Sequence, residues 1–289
     1  EDNLRFDING SLSCLGTESS PVQLRSARNP AVAGSWGPLA LSSGGRAEFE
    51  HSILKHMTTL LATDAVLSLR QTHLGNLSGT AIEMDQGDEF ILAGCTVDSF
   101  SGPSLALSGV TNVLLEQSQI LCSQSPVSYL VILDWCRSIE MHGVEVDCSG
   151  NDLMQVTAET LEVSDCVFSD GTYGMHVEDV LSLSIEGCLF RGFYRGLDLG
   201  RVQSGVIHNN TVQGVGAGPG LWFGEVTANT AASMNIITGL EQGIYIGSGS
   251  EPSISFNNVW DCDESYCGAG LPMGMGVPIT VNANGDSCD

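Results

Sequence analysis

An eight-residue phrase returns along the chain about every 22 residues, and this interval limits the fold more than any other feature. Its copies are FILAGCTV at 90–97, LEVSDCVF at 161–168, LSIEGCLF at 183–190, GVIHNNTV at 205–212, TAASMNII at 230–237 and PSISFNNV at 252–259. The third and eighth positions are apolar, and the sixth is cysteine or asparagine. The last five copies follow at steps of 22, 22, 25 and 22 residues. A fixed period of this size indicates a repeat architecture.

The period predicts an all-β solenoid. Each repeat contains three short apolar stretches separated by Gly, Ser, Asn or Asp, which leaves no room for a helix, and the signature of leucine-rich repeats is absent. Three strands per coil, each hydrogen-bonded to the next coil at roughly 4.8 Å, make a parallel β-helix. We predict about eleven or twelve coils over residues 1–260. We interpret residues 261–289, rich in Cys and Gly, as a cap or as the start of a further coil.

The sixth position of the phrase, called the ladder position below, is predicted to stack inside the β-helix. Its residues are Cys95, Cys166, Cys188, Asn210, Asn235 and Asn257, and looser copies of the phrase have Ser118 and Val144 there. Stacked asparagines can pass amide hydrogen bonds from coil to coil. The cysteines would stack beneath them either as small buried hydrophobes or as a bridge, since neighbouring coils lie within disulfide range.

Ten cysteines in a chain of this length favour an oxidising compartment. Cys122 and Cys148 each lie four residues after the ladder position of adjacent coils, and Cys262 and Cys267 flank a short polar loop. We predict these four as candidate disulfide cysteines, with their connectivity left open.

The charge of the chain limits its partners. Acidic residues number 34 against 10 basic ones, for a net charge of −24. Because like charges repel, nucleic acid, anionic membranes and polyanionic polysaccharides are disfavoured. No apolar stretch approaches the roughly 20 residues of a transmembrane span. Together with the cysteines, these features predict an extracellular or cell-surface protein.

The first coils resemble a known family. Residues 9–24 read NGSLSCLGTESSPVQL, followed by GSWGPLAL at 34–41 and AEFEHSIL at 47–54. This opening resembles the first coils of secreted bacterial right-handed parallel β-helix proteins of the pectin-lyase-like superfamily. The resemblance covers residues 4–54 by the opening and 65–260 by the repeat, and it implies a right-handed helix. It implies no single activity, because the superfamily hosts lyases, hydrolases, epimerases, adhesins and inert stalks.

One outward-facing column is the candidate site. Aligned coils place His176, Asp198, Trp222 and Tyr245 between inward apolar pairs, with Gln155 before them. Glu178 follows two residues after His176. His176 and Asp198 could act as a base and its orienting partner or as an acid–base pair, and the aromatic side chains could stack on sugars. An ordinary exposed face with one His–Asp contact is the alternative.

Other chemical signatures are weak. Arg191, Arg195 and Arg201 could clamp a carboxylate, or they could be turn residues facing solvent. The Gly-His-Gly and Arg-x-Lys motifs of polygalacturonase-like hydrolases do not occur. The acidic loop with Asp261, Asp263 and Glu264 could bind Ca²⁺, although its spacing favours a solvated turn. We therefore predict no required cofactor, with Ca²⁺ as a weak candidate.

These observations favour a non-catalytic extracellular or cell-surface rod with a structural or adhesive role. Its predicted partners are other copies of itself, assembled head to tail into a filament, or other surface components. The alternative is a carbohydrate-active enzyme of lyase, hydrolase or epimerase type, or a sugar-binding module for neutral glycans, that uses the column from Gln155 to Tyr245.

Overall fold

The computed structural model describes residues 4–27, 30–122, 128–148 and 150–268. Within these ranges the regular structure is all β-strand, and the named strands pair in parallel. The prediction of an all-β parallel solenoid is therefore confirmed. The chain forms two compact units, Glu1–Asn151 and Asp152–Asp289.

The first unit has two families of stacked strands. Its strands are β1 (Phe6–Ile8), β2 (Ser11–Leu15), β3 (Val22–Leu24), β4 (Leu39–Leu41), β5 (Arg46–Glu50), β6 (Ser52–Lys55), β7 (Leu60–Arg70), β8 (His73–Gly75), β9 (Ile82–Ala93), β10 (Thr96–Asp98), β11 (Leu105–Glu116), β12 (Gln119–Cys122), β13 (Tyr129–His142) and β14 (Glu145–Cys148). The short strands stack in the order β3, β6, β8, β10, β12, β14. The long strands β7, β9, β11 and β13 pair along most of their length. From β7 onward in this unit, two of the strands predicted for each coil are thus fused into one, whereas β4 and β5 pair separately with the two halves of β7.

After its long first strand, the second unit has three separate strands per coil, as the sequence predicts. Its strands are β15 (Asp152–Ser164), β16 (Val167–Ser169), β17 (Tyr173–Glu178), β18 (Ser182–Glu186), β19 (Leu189–Phe193), β20 (Arg195–Val202), β21 (Gly205–His208), β22 (Thr211–Gly214), β23 (Pro219–Val226), β24 (Thr230–Ser233), β25 (Ile236–Thr238), β26 (Gln242–Ile246), β27 (Ser253–Ser255), β28 (Asn258–Trp260) and β29 (Glu264–Cys267). One family is β17, β20, β23, β26 and β29, and it carries the candidate site. The other two are β18, β21, β24, β27 and β16, β19, β22, β25, β28.

The strands that follow the ladder position occur once per coil. Among the described residues there are six in the first unit and five in the second, close to the eleven or twelve coils predicted. The prediction of a separate segment at 261–289 stays a prediction. Its described part contains β29, which pairs with β26, and residues 269–289 lie outside the described ranges.

A left-handed residue precedes the ladder position in ten of these eleven coils. Its φ lies between 45° and 65° in His51, Gln71, Gly94, Gln117, Gly143, Asp165, Gly187, Asn209, Met234 and Phe256. This conformation ends one strand and redirects the chain into the next. It favours glycine and asparagine, so a bulky side chain there carries a conformational cost.

In the second unit the asparagines form the hydrogen-bonded stack that the repeat predicts. The Nδ2 of Asn210 donates to the Oδ1 of Asn235 at 3.0 Å, and the Nδ2 of Asn235 donates to the Oδ1 of Asn257 at 2.8 Å. The same Oδ1 atoms accept the backbone N–H of Asn210 and of Asn235, both at 3.0 Å. The stack therefore satisfies buried backbone groups at the corner of each coil, where no strand can pair them.

The first unit uses shorter side chains for the same task. The hydroxyl of Ser118 accepts the N–H of Cys95 at 3.1 Å, and the sulfur of Cys95 accepts the N–H of Thr72 at 3.4 Å. The hydroxyl of Thr72 in turn accepts the N–H of Ser52 at 3.4 Å. The sequence pattern missed Ser52 and Thr72 as ladder residues. It also assigned Cys95 only a packing or bridging role, whereas its thiol is part of the hydrogen-bonded stack.

A column of glycines lines one corner of the second unit. It consists of Gly174, Gly196, Gly220 and Gly243, each two residues before a member of the outward column. A Cβ on Gly220 would meet the Cγ2 of Ile237 and lie 3.0 Å from the carbonyl oxygen of Gly243. The corner therefore brings backbone and side chains too close together for any larger residue.

Candidate functional site

The predicted outward column is in register on the second unit. Gln155 lies beside His176, which lies beside Asp198, Trp222 and Tyr245 on successive parallel strands. The flanking inward residues, such as Leu197 and Leu199 on either side of Asp198, are fully buried. Alternation along each strand therefore points the column away from the core.

The inward pair beside Gln155 is Met154 and Val156. Met154 is in register with Met175, and Val156 with Val177. Leu153 is also apolar and buried, so the apolar pattern alone does not separate this register from one that uses Leu153 and Met154. The position predicted for Gln155 is unaffected.

His176 lies between two carboxylates. Its Nδ1 is 3.5 Å from the Oδ2 of Asp198, and its Nε2 is 3.5 Å from the Oε2 of Glu178. The hydrogen bond with Asp198 is the main cause that raises the pKa of His176, and the nearby charge of Glu178 adds to it, while burial opposes it. The two carboxylates therefore favour the protonated form of His176 more than water does for an isolated imidazole.

Asp198 has a second cation beside it. The Nη1 of Arg195 is 3.4 Å from the Oδ2 of Asp198, and the guanidinium of Arg195 lies over the ring of Tyr173, 5.2 Å from its centroid. The Asp198 side chain is only 6% exposed, and its Oδ1 has no hydrogen-bond partner in this structure. Arg195 and His176 offset part of the free-energy cost of burying this carboxylate. The sequence did not assign this role to Arg195.

The other two candidate arginines are also engaged. The Nε and Nη2 of Arg201 donate to the carboxylate of Asp179 at 2.5 and 2.6 Å, and Nη2 lies 2.8 Å from Glu178. The Nε of Arg191 donates to the hydroxyl of Ser169 at 2.9 Å. The three arginines therefore contact different partners and do not converge as a clamp for one carboxylate.

Trp222 and Tyr245 form an aromatic pair at one end of the column. Their ring centroids are 6.4 Å apart with an angle of 21° between the planes. Both residues are half-buried. The indole lies across Gly224, where a Cβ would be 2.7 Å from the Cη2 of Trp222. The absence of a side chain at Gly224 thus lets the indole lie flat against the sheet.

The acidic loop after β28 does not assemble a calcium site in the described residues. Asp261 and Asp263 line an open pocket with Glu241 and Tyr194. Glu264 begins β29, and its N–H donates to the carbonyl of Glu241 at 2.8 Å. No three His, Cys, Asp or Glu side chains converge as metal ligands anywhere in the described ranges.

The four candidate disulfide cysteines are thiols in this structure. The thiol of Cys262 donates to the carbonyl of Trp260 at 3.6 Å, and that of Cys267 to the carbonyl of Ile244 at 3.8 Å. These two therefore have separate partners and are not bridged. Cys122 and Cys148, in contrast, are direct register partners on β12 and β14.

A family model described as periplasmic copper-binding protein (NosD) matches residues 111–274, more than half of the chain. The chain belongs to the NosD family. The predicted resemblance to right-handed β-helix proteins of the pectin-lyase-like superfamily is thereby confirmed. The description of the NosD family as periplasmic agrees with a location outside the cytoplasm. The residues that the structure describes include no helix long and apolar enough to cross a membrane.

Solved structures similar to this NosD-family chain come from alginate-modifying enzymes. The A-module of mannuronan C-5 epimerase AlgE6 from Azotobacter vinelandii is 10% identical, with 93% of this chain and 91% of that chain covered and a TM-score of 0.36. The A-module of AlgE4 from the same organism is 11% identical, with coverage of 92% and 88% and a TM-score of 0.36. The alginate lyase AlyGC, of family PL6, is 13% identical, with coverage of 99% and 51% and a TM-score of 0.26. No curated protein matches the chain.

The described residues of this NosD-family chain do not fit a copper ion. Copper sites use thiolate, thioether or imidazole ligands that converge on the metal. Among the His, Cys, Asp and Glu side chains of the described ranges, no group of three converges, and burial raises the pKa of Cys95 and of Cys136 to about 11. Burial therefore disfavours the thiolate form of these two cysteines. The function proposed below does not use copper.

Proposed function

We propose that the chain is a non-catalytic β-helix protein with an adhesive role outside the cytoplasm, which binds neutral glycans on its outward column. The stacked pair of Trp222 and Tyr245 carries this proposal. Two half-exposed rings on adjacent strands offer a flat apolar surface to sugar rings, and the polar groups of His176 and Gln155 on the same column offer hydrogen bonds. An apolar surface with a few convergent polar groups is typical of a small-ligand site.

Charge pairing favours a neutral ligand. In the column, Asp198 is paired with His176 and Arg195, and Glu178 with Arg201. No arginine of this group is left for a uronate carboxylate. The net charge of −24 also repels polyanionic chains from the whole molecule.

The same pairing supports a binding role over a catalytic one. A general base must be unprotonated and must reach its substrate. His176 is favoured in its protonated form by Asp198, and Asp198 is buried against two cations. Each of these two side chains is therefore held by a partner within the protein.

The test is retention of the purified chain on immobilised neutral polysaccharides, with uronate polymers in parallel. Trp222→Ala should weaken retention at least tenfold, because it removes half of the aromatic surface. Trp260→Ala is the matched control, since Trp260 is 48% exposed but lies on β28, in another strand family. Equal loss in both variants, preference for uronates, or no retention of the parent chain would each refute the proposal.

The contact of 3.5 Å between His176 and Asp198 favours an enzyme as the second candidate. A carbohydrate-active enzyme should release new reducing ends, unsaturated products or epimerised sugars from a polysaccharide. His176→Gln and Asp198→Asn would then remove turnover while Trp260→Ala retains it. The absence of product from neutral and uronate polymers alike would leave only the binding role.

Self-association into a filament is a separate proposal with its own test. Electron microscopy of the chain at native-like concentration would show either fibres or discrete particles. Discrete particles would exclude the filament without affecting the proposal of glycan binding.

A further inference from the structure

Cys122 and Cys148 form a stacked pair of thiols in the first unit, of which Cys122 is partly exposed. They are register partners at the ends of β12 and β14, so their Cα atoms are separated by about the 4.8 Å spacing of paired strands. This spacing lies within the range that disulfides span. Two residues earlier, the register pair Ile120 and Val146 is fully buried. Since side chains alternate along a strand, both cysteines project toward the same side as that pair.

The environment of the pair favours reaction with each other. Burial and the adjacent Cys122 thiol raise the pKa of Cys148 to about 12, while the Nδ2 of Asn151 donates to the sulfur of Cys148 at 3.2 Å and lowers it. Cys148 is 1% exposed, whereas Cys122 is half-buried. A soluble oxidant therefore reaches Cys122 first and Cys148 only through it.

A second pair of stacked cysteines provides a contrast within the same chain. Cys166 and Cys188 occupy consecutive ladder positions, and both are at most 2% exposed. Burial and the neighbouring Cys166 thiol raise the pKa of Cys188 far above its ordinary value. Thiol–disulfide exchange needs a thiolate and access to it, so this pair is shielded from the reaction.

We propose that Cys122 and Cys148 are an oxidation site that becomes a disulfide between two consecutive coils when the chain is outside the cytoplasm. The reaction is exchange with a low-molecular-weight disulfide. The Cys122 thiolate attacks one sulfur of that disulfide and releases one thiolate. The Cys148 sulfur, as it loses its proton, then attacks Cys122 and releases the second thiolate. The two cysteines lose two protons and two electrons, and the oxidant becomes two thiols. The proposal does not depend on the glycan-binding face.

The test treats the folded full chain with oxidised glutathione, blocks remaining thiols by alkylation and maps the digest without reduction. We expect a linked pair of peptides containing Cys122 and Cys148, lighter than the free pair by two hydrogens, and a higher melting temperature than that of the reduced chain. Cys166 and Cys188 should be alkylated only after denaturation. In Cys148→Ser, Cys122 should accumulate as the mixed disulfide with glutathione.

Two results would overturn the proposal. One is a parent chain in which Cys122 stops at the mixed disulfide with glutathione, as Cys148→Ser should. That result would mean that the two sulfurs cannot reach each other. The other is a parent chain in which both cysteines remain thiols while an unfolded control sample is oxidised. Cys136→Ser is the matched control, since Cys136 is buried in the same unit and should leave formation of the link unchanged.

Discussion

Replacement of Asn235 by alanine is the sharpest test of the asparagine stack. Asn235 is fully buried, and its side chain accepts the N–H of Asn210 and donates to the carbonyl of Ile207 at 2.9 Å. Alanine leaves both backbone groups buried without a partner. At about 1–3 kcal/mol for each unsatisfied group, the free energy of unfolding should fall by roughly 2–6 kcal/mol. The other side-chain partners retain one bond each, through the carbonyl of Ile185 and the N–H of residue 235.

The assay combines urea unfolding with hydrogen exchange of single amides. The amide of Asn210 should lose protection, while the amide of Cys188, which donates to the side chain of Asn210, should keep it. Asn235→Ser should restore part of the stability, because Ser118 makes the equivalent bond in the first unit. Asn229→Ala, at an exposed position, is the control and should change stability by less than about 0.5 kcal/mol. An Asn235→Ala chain with unchanged stability and a protected Asn210 amide would refute the reasoning.

Three further substitutions test the corner, the bend and the charged contact. Gly220→Ala should destabilise the chain by about 1–3 kcal/mol, because the added methyl group overpacks against Ile237. Gly10→Ala is the control, since a Cβ there has open space. Equal melting temperatures of the two variants would contradict the tight corner. Phe256→Asn should raise the free energy of unfolding by about 1 kcal/mol. Phe256 is 84% exposed and has a φ of 56°, a conformation that asparagine adopts more readily than phenylalanine. A lower melting temperature of the variant would contradict this prediction. The raised pKa of His176 stabilises the fold below about pH 6.5, and this contribution is lost as the pH rises through the folded-state pKa. The melting temperature of the parent chain should therefore fall relative to His176→Gln between about pH 6 and pH 9, and parallel profiles would exclude the effect.

The period of the sequence was sufficient to predict the fold and the column. Because parallel coils stack equivalent residues, a spacing of 22 residues between Cys166, Cys188 and Asn210 also fixes which outward residues become neighbours. His176, Asp198, Trp222 and Tyr245 could be aligned for this reason, without any knowledge of their contacts.

The side chains that contact the column from other positions of the strands could not be predicted in the same way. Arg195 reaches Asp198 by the path of its long side chain and is oriented by the ring of Tyr173. The repeat fixes where each backbone lies, but it does not fix the rotamer of an arginine. The sequence did contain one signal for this contact. Tyr173 and Arg195 each lie three residues before a member of the column, so the repeat places them side by side on neighbouring strands.

The glycine corner could have been found from the sequence. Gly174, Gly196, Gly220 and Gly243 each occupy the same place in GMHV, GLDL, GLWF and GIYI. The apolar pattern drew attention to the residues after each glycine, and glycine was treated as a separator. Ser52 and Thr72 were missed for a related reason, because a hydroxyl in the ladder position does not stand out among many serines and threonines.

The glycine corner has a consequence for protein engineering. The corner and the buried neighbours fix the backbone of β17, β20, β23 and β26, so the outward position on each strand keeps its place when its side chain changes. These positions would be exchanged as a set, with Asp198 replaced together with its partners His176 and Arg195. Side chains chosen for these positions would be displayed in a straight row with a pitch of about 4.8 Å, which makes this surface a scaffold for ligands that repeat at a regular interval.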